Sequence, residues 1–218
     1  LLLELASTSR DAELTSFLRL TLDQLRAKGL RDQVGGGFFR YTVDPGWETP
    51  HFEKMLYDNA QLALLYLRAA VVFEAPVYRE TAFSTLDFML ETLRDPDGGL
   101  QASVSAVDRR GREGAAYLWH KAALQKLLTT EEFNTARRVW RLDAPPPFEL
   151  GYLPAEWVEP TAAERRLLDA ALQKMKKSRA GQGQPKDDKR NAGLNGLALS
   201  ALAAAMRQNP KYADAASA

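Results

Sequence analysis

Two stretches of this chain carry apolar residues around most of a helix's circumference, whereas three others carry them on one stripe only. Residues 50 to 73, centred on Asn59-Ala60-Gln61-Leu62-Ala63-Leu64-Leu65-Tyr66-Leu67, and residues 194 to 207, with Leu197, Leu199, Leu202, Met206 and many alanines, are of the first kind. Residues 11 to 29, 77 to 94 and 161 to 178 are of the second, with apolar side chains at three- and four-residue steps among charges. A helix that is apolar all round needs neighbours on several sides, whereas one stripe needs a single neighbour. A two-layer ring of helical hairpins supplies both environments, so the pattern predicts an all-α chain built as an α/α toroid. A compact bundle around one central helix is the alternative.

The connections are rich in turn formers. Gly35-Gly36-Gly37 with Phe38, Phe39 and Tyr41, closed by Asp44-Pro45-Gly46, reads as an irregular loop or short hairpin. Thr49 before Pro50 has the chemistry of a helix start, which places the first all-round helix at about 50 to 73. A strand pair is expected at 100 to 107 and 115 to 119, linked by Asp108-Arg109-Arg110-Gly111. Shorter helices follow near 120 to 129 and 131 to 140. The prolines between Ala144 and Pro160 make 144–160 a surface excursion, 179–193 reads as a polar loop, and the tail 210–218 as frayed. We read the 218 residues as a single domain.

With 29 Lys+Arg against 28 Asp+Glu the net charge is +1, so nothing calls for a nucleic-acid partner. No cysteine means no disulfide framework, no thiolate nucleophile and no Cys-ligated zinc, and two histidines do not make a multi-His metal site. No cofactor or metal is expected. No apolar stretch reaches the ~20 residues of a membrane helix, and a soluble, cytoplasmic location is the expectation. The run from Glu164 to Arg190 holds nine Lys/Arg against four Asp/Glu, a basic face whose default reading is a solvated helix surface.

The segment from Gly35 to Asp44, followed by Trp47 and by Pro50-His51-Phe52-Glu53-Lys54-Met55-Leu56-Tyr57-Asp58-Asn59-Ala60, resembles the signature of the thioredoxin-domain-containing family that includes the spermatogenesis-associated proteins. Weaker echoes at Asp97-Gly98-Gly99, Tyr117, Trp119, Asp187-Asp188-Lys189 and Asn195-Gly196-Leu197 extend the resemblance over about residues 30 to 205. It implies a barrel domain similar to six-hairpin glycosidases and N-acylglucosamine 2-epimerases, whose central cleft handles sugars, with a thioredoxin-like domain as a partner. Nothing in this sequence matches that thioredoxin-like part. Two departures stand out: Ser105 and Val107 occupy positions where relatives carry aspartates, and Leu194 replaces a tryptophan. About seven helices, where six hairpins need twelve, imply an incomplete ring. The cleft and its chemistry are therefore either retained or degenerate, and a non-catalytic interaction or scaffold module is the competing function.

The candidate catalytic pair is His51 with Glu53. At a helix N-terminus a histidine is held neutral and can serve as a base, with Glu53 as its orienter; a capping role is the alternative. Glu53 and Asp58, five residues apart on a helix, fall about 140° apart and do not form a same-face pair. Asp58 is expected to pair with Arg40. His51-x-Glu53 also has the form of a zinc-deaminase start, but the required Cys-x-x-Cys is absent. Arg40, Tyr41, Trp47, Tyr57, Trp119, Asp188 and Asn195 are the candidate substrate-binding residues. For the aromatic ones core packing is an equal reading, and Asp187-Asp188 reads first as part of a solvated loop. Gly35-Gly36-Gly37 lacks the residues that would make it a phosphate cradle.

Overall fold

A computed structural model describes all residues except 10, 182, 214 and 216–218. The chain is mostly helical, with α1 (Leu2–Ser9), α2 (Ala12–Ala27), α3 (Leu56–Val72), α4 (Pro76–Phe88), α5 (Lys121–Leu127), α6 (Thr130–Val139), α7 (Ala162–Arg179) and α8 (Ala192–Met206). A π-helical turn, Met89–Leu93, extends α4. Antiparallel pairs α3–α4 and α6–α7, with α8 laid against α3, give the incomplete α/α toroid that the alternating patterns imply. Among the described residues no helix is long and apolar enough to cross a membrane.

Three apolar clusters hold the chain together. The largest joins α2, α3, α4 and α8 through Leu22, Leu25, Leu56, Tyr66, Leu67, Leu86 and Leu202. A second joins α5, α6 and α7 through Leu124, Phe133, Trp140, Leu168 and Met175. Between them Phe39, Phe52, Tyr117 and Leu153 form a small aromatic cluster in the connecting loops. The capping box Thr161–Glu164 starts α7, and Asp11 accepts the first N–H groups of α2.

Several expectations are corrected. Residues 50 to 55 are not helix: Pro50–His51 is a strand (β2) paired with Tyr41–Thr42 (β1), and α3 begins at Leu56. The cap is pre-empted because Asp44 accepts the N–H groups of Glu48 and Thr49, closing a hairpin instead. Of the expected strand pair only Ser103–Val104 (β4) becomes a strand. It lies between Lys54–Met55 (β3) and Lys186–Asp187 (β5), so the polar loop 179–193 contains a strand, while Tyr117 sits in a turn whose N–H reaches the Gly114 carbonyl. The tail is held as far as Tyr212, which is buried and donates to Asp87 and the Phe83 carbonyl; residues 214 and 216–218 lie outside the described part. Finally, α8 buries only the stripe Ala198, Ala201, Leu202 and Ala205, and leaves Leu197, Leu199 and Met206 exposed. The segment 144–160 has no helix; it exposes its proline run but buries Leu153 and Ala155.

Candidate functional site

From Pro50 to Leu56 burial alternates residue by residue. Pro50, Phe52, Lys54 and Leu56 are buried; His51, Glu53 and Met55 are half-exposed. This is the period of an extended strand, and it turns His51 and Glu53 to one face and Lys54 to the other. The register sets Tyr41 directly opposite His51, and their rings stack at 5.1 Å with 27° between planes.

His51 is flanked by two carboxylates. Its Nδ1 lies 3.0 Å from Glu113 Oε1, and its Nε2 is 3.9 Å from Glu53 Oε2. Arg40 donates to Glu53 at 3.0 Å, its backbone N–H reaches the Glu53 carbonyl, and the Tyr57 phenol is near enough to act on its charge. The arrangement sets the imidazole against an aromatic platform with one carboxylate at hydrogen-bond distance and a second at longer range, a setting that suits an acid/base histidine. The helix-end field expected to act on His51 is absent, because α3 starts five residues later.

Asp58 stands beside this group without the expected ion pair. Arg40 is spent on Glu53, and Asp58 Oδ2 is buried with no hydrogen-bond partner among the described residues. Burial pushes its carboxyl up to about 6; the charge of Glu53 adds to this and that of Arg40 opposes it. Since Glu53 precedes the helix, the 140° that separated it from Asp58 does not apply, and the two carboxyls act on each other. The sign of the linkage is fixed. A carboxyl whose folded pKa is raised favours the fold while protonated, and that advantage is lost as pH rises from about 4 through 6. Asp58→Asn is therefore expected to match the parent melting temperature at pH 4 and exceed it at pH 8; a difference independent of pH would refute this assignment.

The structure gathers Arg40, Tyr41, His51, Glu53 and Tyr57, and leaves the other candidates elsewhere. Trp47 packs on the α2–α3–α4 core, and its carbonyl accepts the Gly29 N–H. Trp119 packs against α5–α7 and pairs with Tyr152. Asp188 is exposed in the loop after β5. Asn195 is occupied in clamping Leu100, accepting its N–H at 2.7 Å and donating to its carbonyl at 2.9 Å, which holds the Gly98-Gly99 turn against α8. Sequence reasoning missed Glu113, which the Val107–Glu113 bridge brings to His51. It also missed the inward partner of the same strand, Lys54, for which the residue-by-residue alternation was the available signal. Among the described residues no group of three or more His, Asp or Glu could hold a metal ion.

No family model matches the chain. Over 113 residues, half of this chain, it is 39% identical to spermatogenesis-associated protein 20 of Homo sapiens, and equally so to that of Mus musculus. It is 30% identical over 126 residues to an uncharacterized protein of Caenorhabditis elegans. The match spans 14% of the human protein and 17% of the nematode one, so half of this chain is homologous to a small part of much longer relatives. Among solved structures, a family 76 glycoside hydrolase from a bovine Bacteroides thetaiotaomicron strain aligns over 98% of this chain and 42% of its own, with a TM-score of 0.44 and 12% identity.

Proposed function

We propose that this chain is a carbohydrate-related α/α-toroid domain, part of the barrel of the thioredoxin-domain-containing family, whose sugar-facing site is the outward face of residues 40 to 58. The observation that carries this reading is the exposed Tyr41 ring stacked on a histidine held between two carboxylates. An aromatic face suits the C–H surface of a pyranose, and paired carboxylates suit its hydroxyls. His51 then serves as acid/base, steadied by Glu113 and Glu53. Asp58 supplies a carboxyl still partly protonated near pH 6, and Arg40 with Tyr57 orients the substrate. This is the equipment of a proton transfer beside a sugar carbonyl or at a glycosidic oxygen, the epimerase-like and hydrolase-like chemistries. The test is a thermal-shift screen against monosaccharides, disaccharides and uronic acids. A ligand at 100 times its Kd adds about 2.7 kcal/mol of stability. We expect a shift that Tyr41→Ala abolishes without lowering the melting temperature of the free protein. No shift across the panel, or one indifferent to Tyr41, would remove the sugar reading.

One observation favours a second function, a non-catalytic scaffold that works with a thioredoxin-like domain. Leu64, Leu65 and Val71 of α3, with Leu1 and Leu3 and Ala203 and Ala204 of α8, line a largely apolar groove of about 860 Å3. Capture of a separately produced thioredoxin-like domain, lost on Val71→Glu, would support it; failure to associate would count against it.

A further inference from the structure

The inward face of the same strand presents a different chemistry. Lys54 donates to Asp32 Oδ2 at 2.7 Å and to the Gly36 carbonyl at 2.8 Å. Arg179, in the last turn of α7, forks onto the same carboxylate at 3.1 and 2.7 Å. Asp32 Oδ1 also accepts the N–H groups of Val34 and Gly35. Two cations thus share one anion, and the cluster carries one positive charge in excess. That excess is nearly dry: the side chains of Lys54, Asp32 and Arg179 are 1%, 2% and 14% exposed. The rings of Phe88, Tyr117 and Phe39 surround the ammonium at 4.4, 4.9 and 5.2 Å, and Tyr117 also faces Arg179 at 5.3 Å. Cation–π contacts ease the desolvation of a charge but do not neutralise it.

The cluster borders an open recess of about 460 Å3 between α7, the turn Met89–Leu93 and β4, within the size range of small-molecule sites. Lys54, Arg179 and Tyr117 line it, with Lys176 and Lys186 also in the wall. Glu91 is the one acidic residue in that lining among the described residues, and Lys176 already neutralises it at 2.8 Å. Lys186 meets the backbone carbonyl of Thr92 rather than a carboxylate. Donors remain as well: two of the five N–H groups of Arg179 and two of the three of Lys54 are used on Asp32 and Gly36. Gly35 permits the arrangement, because a Cβ there would lie 1.9 Å from the Arg179 guanidinium.

We propose that this recess binds a small anionic ligand, with its phosphate or carboxylate group seated on Arg179, the buried charge of Lys54 behind it, and its body toward Tyr117. A planar guanidinium matches either oxyanion, and the bound charge cancels the buried excess. The site lies on the opposite face of the strand from His51 and stands or falls independently of the sugar reading.

Calorimetric titration of the whole chain at low salt with sodium phosphate, glucose 6-phosphate, glucuronate and glucose tests it, the two anion chemistries forming separate arms. Saturable binding is expected in at least one anion arm and none with glucose. Arg179→Lys keeps the charge that balances Asp32 but loses the fork. Lys186→Gln alters a rim residue that supports no core contact. Each is expected to weaken binding at least fivefold, with the Lys186 variant melting like the parent. Lys54 supplies a further readout. Burial draws its pKa down to about 8; Asp32 opposes the fall, Arg179 and the more distant Arg31 assist it, and the Tyr117 phenol beside it stays protonated. Glucuronate binding should therefore fade between pH 7 and 9, before ordinary surface lysines lose charge at about 10.4. Absence of saturable binding in every arm at 20 mM, or affinity unmoved in both variants, would overturn the proposal.

Discussion

Asp32→Asn is expected to destabilise the chain by about 3–5 kcal/mol, the usual consequence of removing one partner from a buried ion cluster. The substitution is nearly isosteric and retains an acceptor for the Val34 and Gly35 N–H groups, so the local turn keeps its bonds. What disappears is the carboxylate that Lys54 and Arg179 share, leaving two cations without an ion-pair partner among the described residues in a dry environment. Burial works against the Asp32 charge, yet Arg179 and Lys54 outweigh it and hold the carboxyl well below the usual range. Lys54 is nevertheless shifted toward its neutral form, chiefly because burial disfavours its charge, with the second cation Arg179 adding to the fall. A domain of this kind has roughly 5–15 kcal/mol of total stability, so the loss is a large fraction of it.

Urea unfolding measures the effect, and two controls identify its cause. Adding Lys54→Met to Asp32→Asn removes one orphaned cation and should restore part of the lost stability; a double variant no better than the single one would mean that the cost is not electrostatic. The pH profile is the second control. A carboxyl with a depressed folded pKa contributes stability above its unfolded value, about 3.9, and loses it as pH falls toward the folded value. The parent should therefore lose part of its advantage over Asp32→Asn below pH 4. A loss under 1 kcal/mol at pH 7 would show that the cluster is not what holds the glycine loop to α7.

How much of this was legible depends on the distance over which each feature is decided. The helices α2, α4 and α7 follow from one apolar stripe with a local start signal, a side-chain cap at Asp11 and Thr161 and a first-turn proline at Pro76. The start of α3 does not. Thr49-Pro50 has the chemistry of a cap, but Asp44 takes the N–H groups of Glu48 and Thr49, and Ser103–Val104 pairs with Lys54–Met55. A partner about fifty residues away thus decides between helix and strand. The site divides the same way. Arg40, Tyr41, His51 and Glu53 were found together because one hairpin joins them, whereas Glu113 and Arg179 enter from loops and helices that no local pattern links to the motif. Arg179 belongs to a run whose composition reads as a solvated basic face, since composition does not reveal which member of a charged helix turns inward. The converse error was made for α8, whose apolar circumference signals capacity for burial; here a neighbour covers only one side of it.

The second large effect is expected at Asn59, a fully buried residue one turn into α3. Its Oδ1 accepts the Phe38 N–H at 2.7 Å, and its Nδ2 donates to the carbonyls of Phe38 at 3.0 Å and Met55 at 2.8 Å. One side chain thus takes the place of a strand partner for Phe38, whose ring stacks on Tyr66 at 5.6 Å. The neighbouring Gly37 has φ of +74° and leaves no room for repair: a Cβ there would lie 2.4 Å from the Phe88 ring and 2.9 Å from Asn59 Oδ1. Asn59→Ala strands both backbone groups of Phe38 in the core. At about 1–3 kcal/mol for each unsatisfied group, a loss of about 3–5 kcal/mol is expected. Asn59→Asp keeps the acceptor, loses both donations and adds a buried charge, so it should do no better. Hydrogen exchange separates loss of the clamp from general loosening. The Phe38 amide should exchange much faster in Asn59→Ala, while amides of α6 and α7, in the other core, should change only as far as global stability does. Because Arg40 and Tyr41 lie only two and three residues after Phe38, the same variant should also weaken any ligand bound on the His51 face. A Phe38 amide that stays protected, with a cost below 1 kcal/mol, would mean that packing on Tyr66 alone holds the glycine loop and that the amide clamp is dispensable.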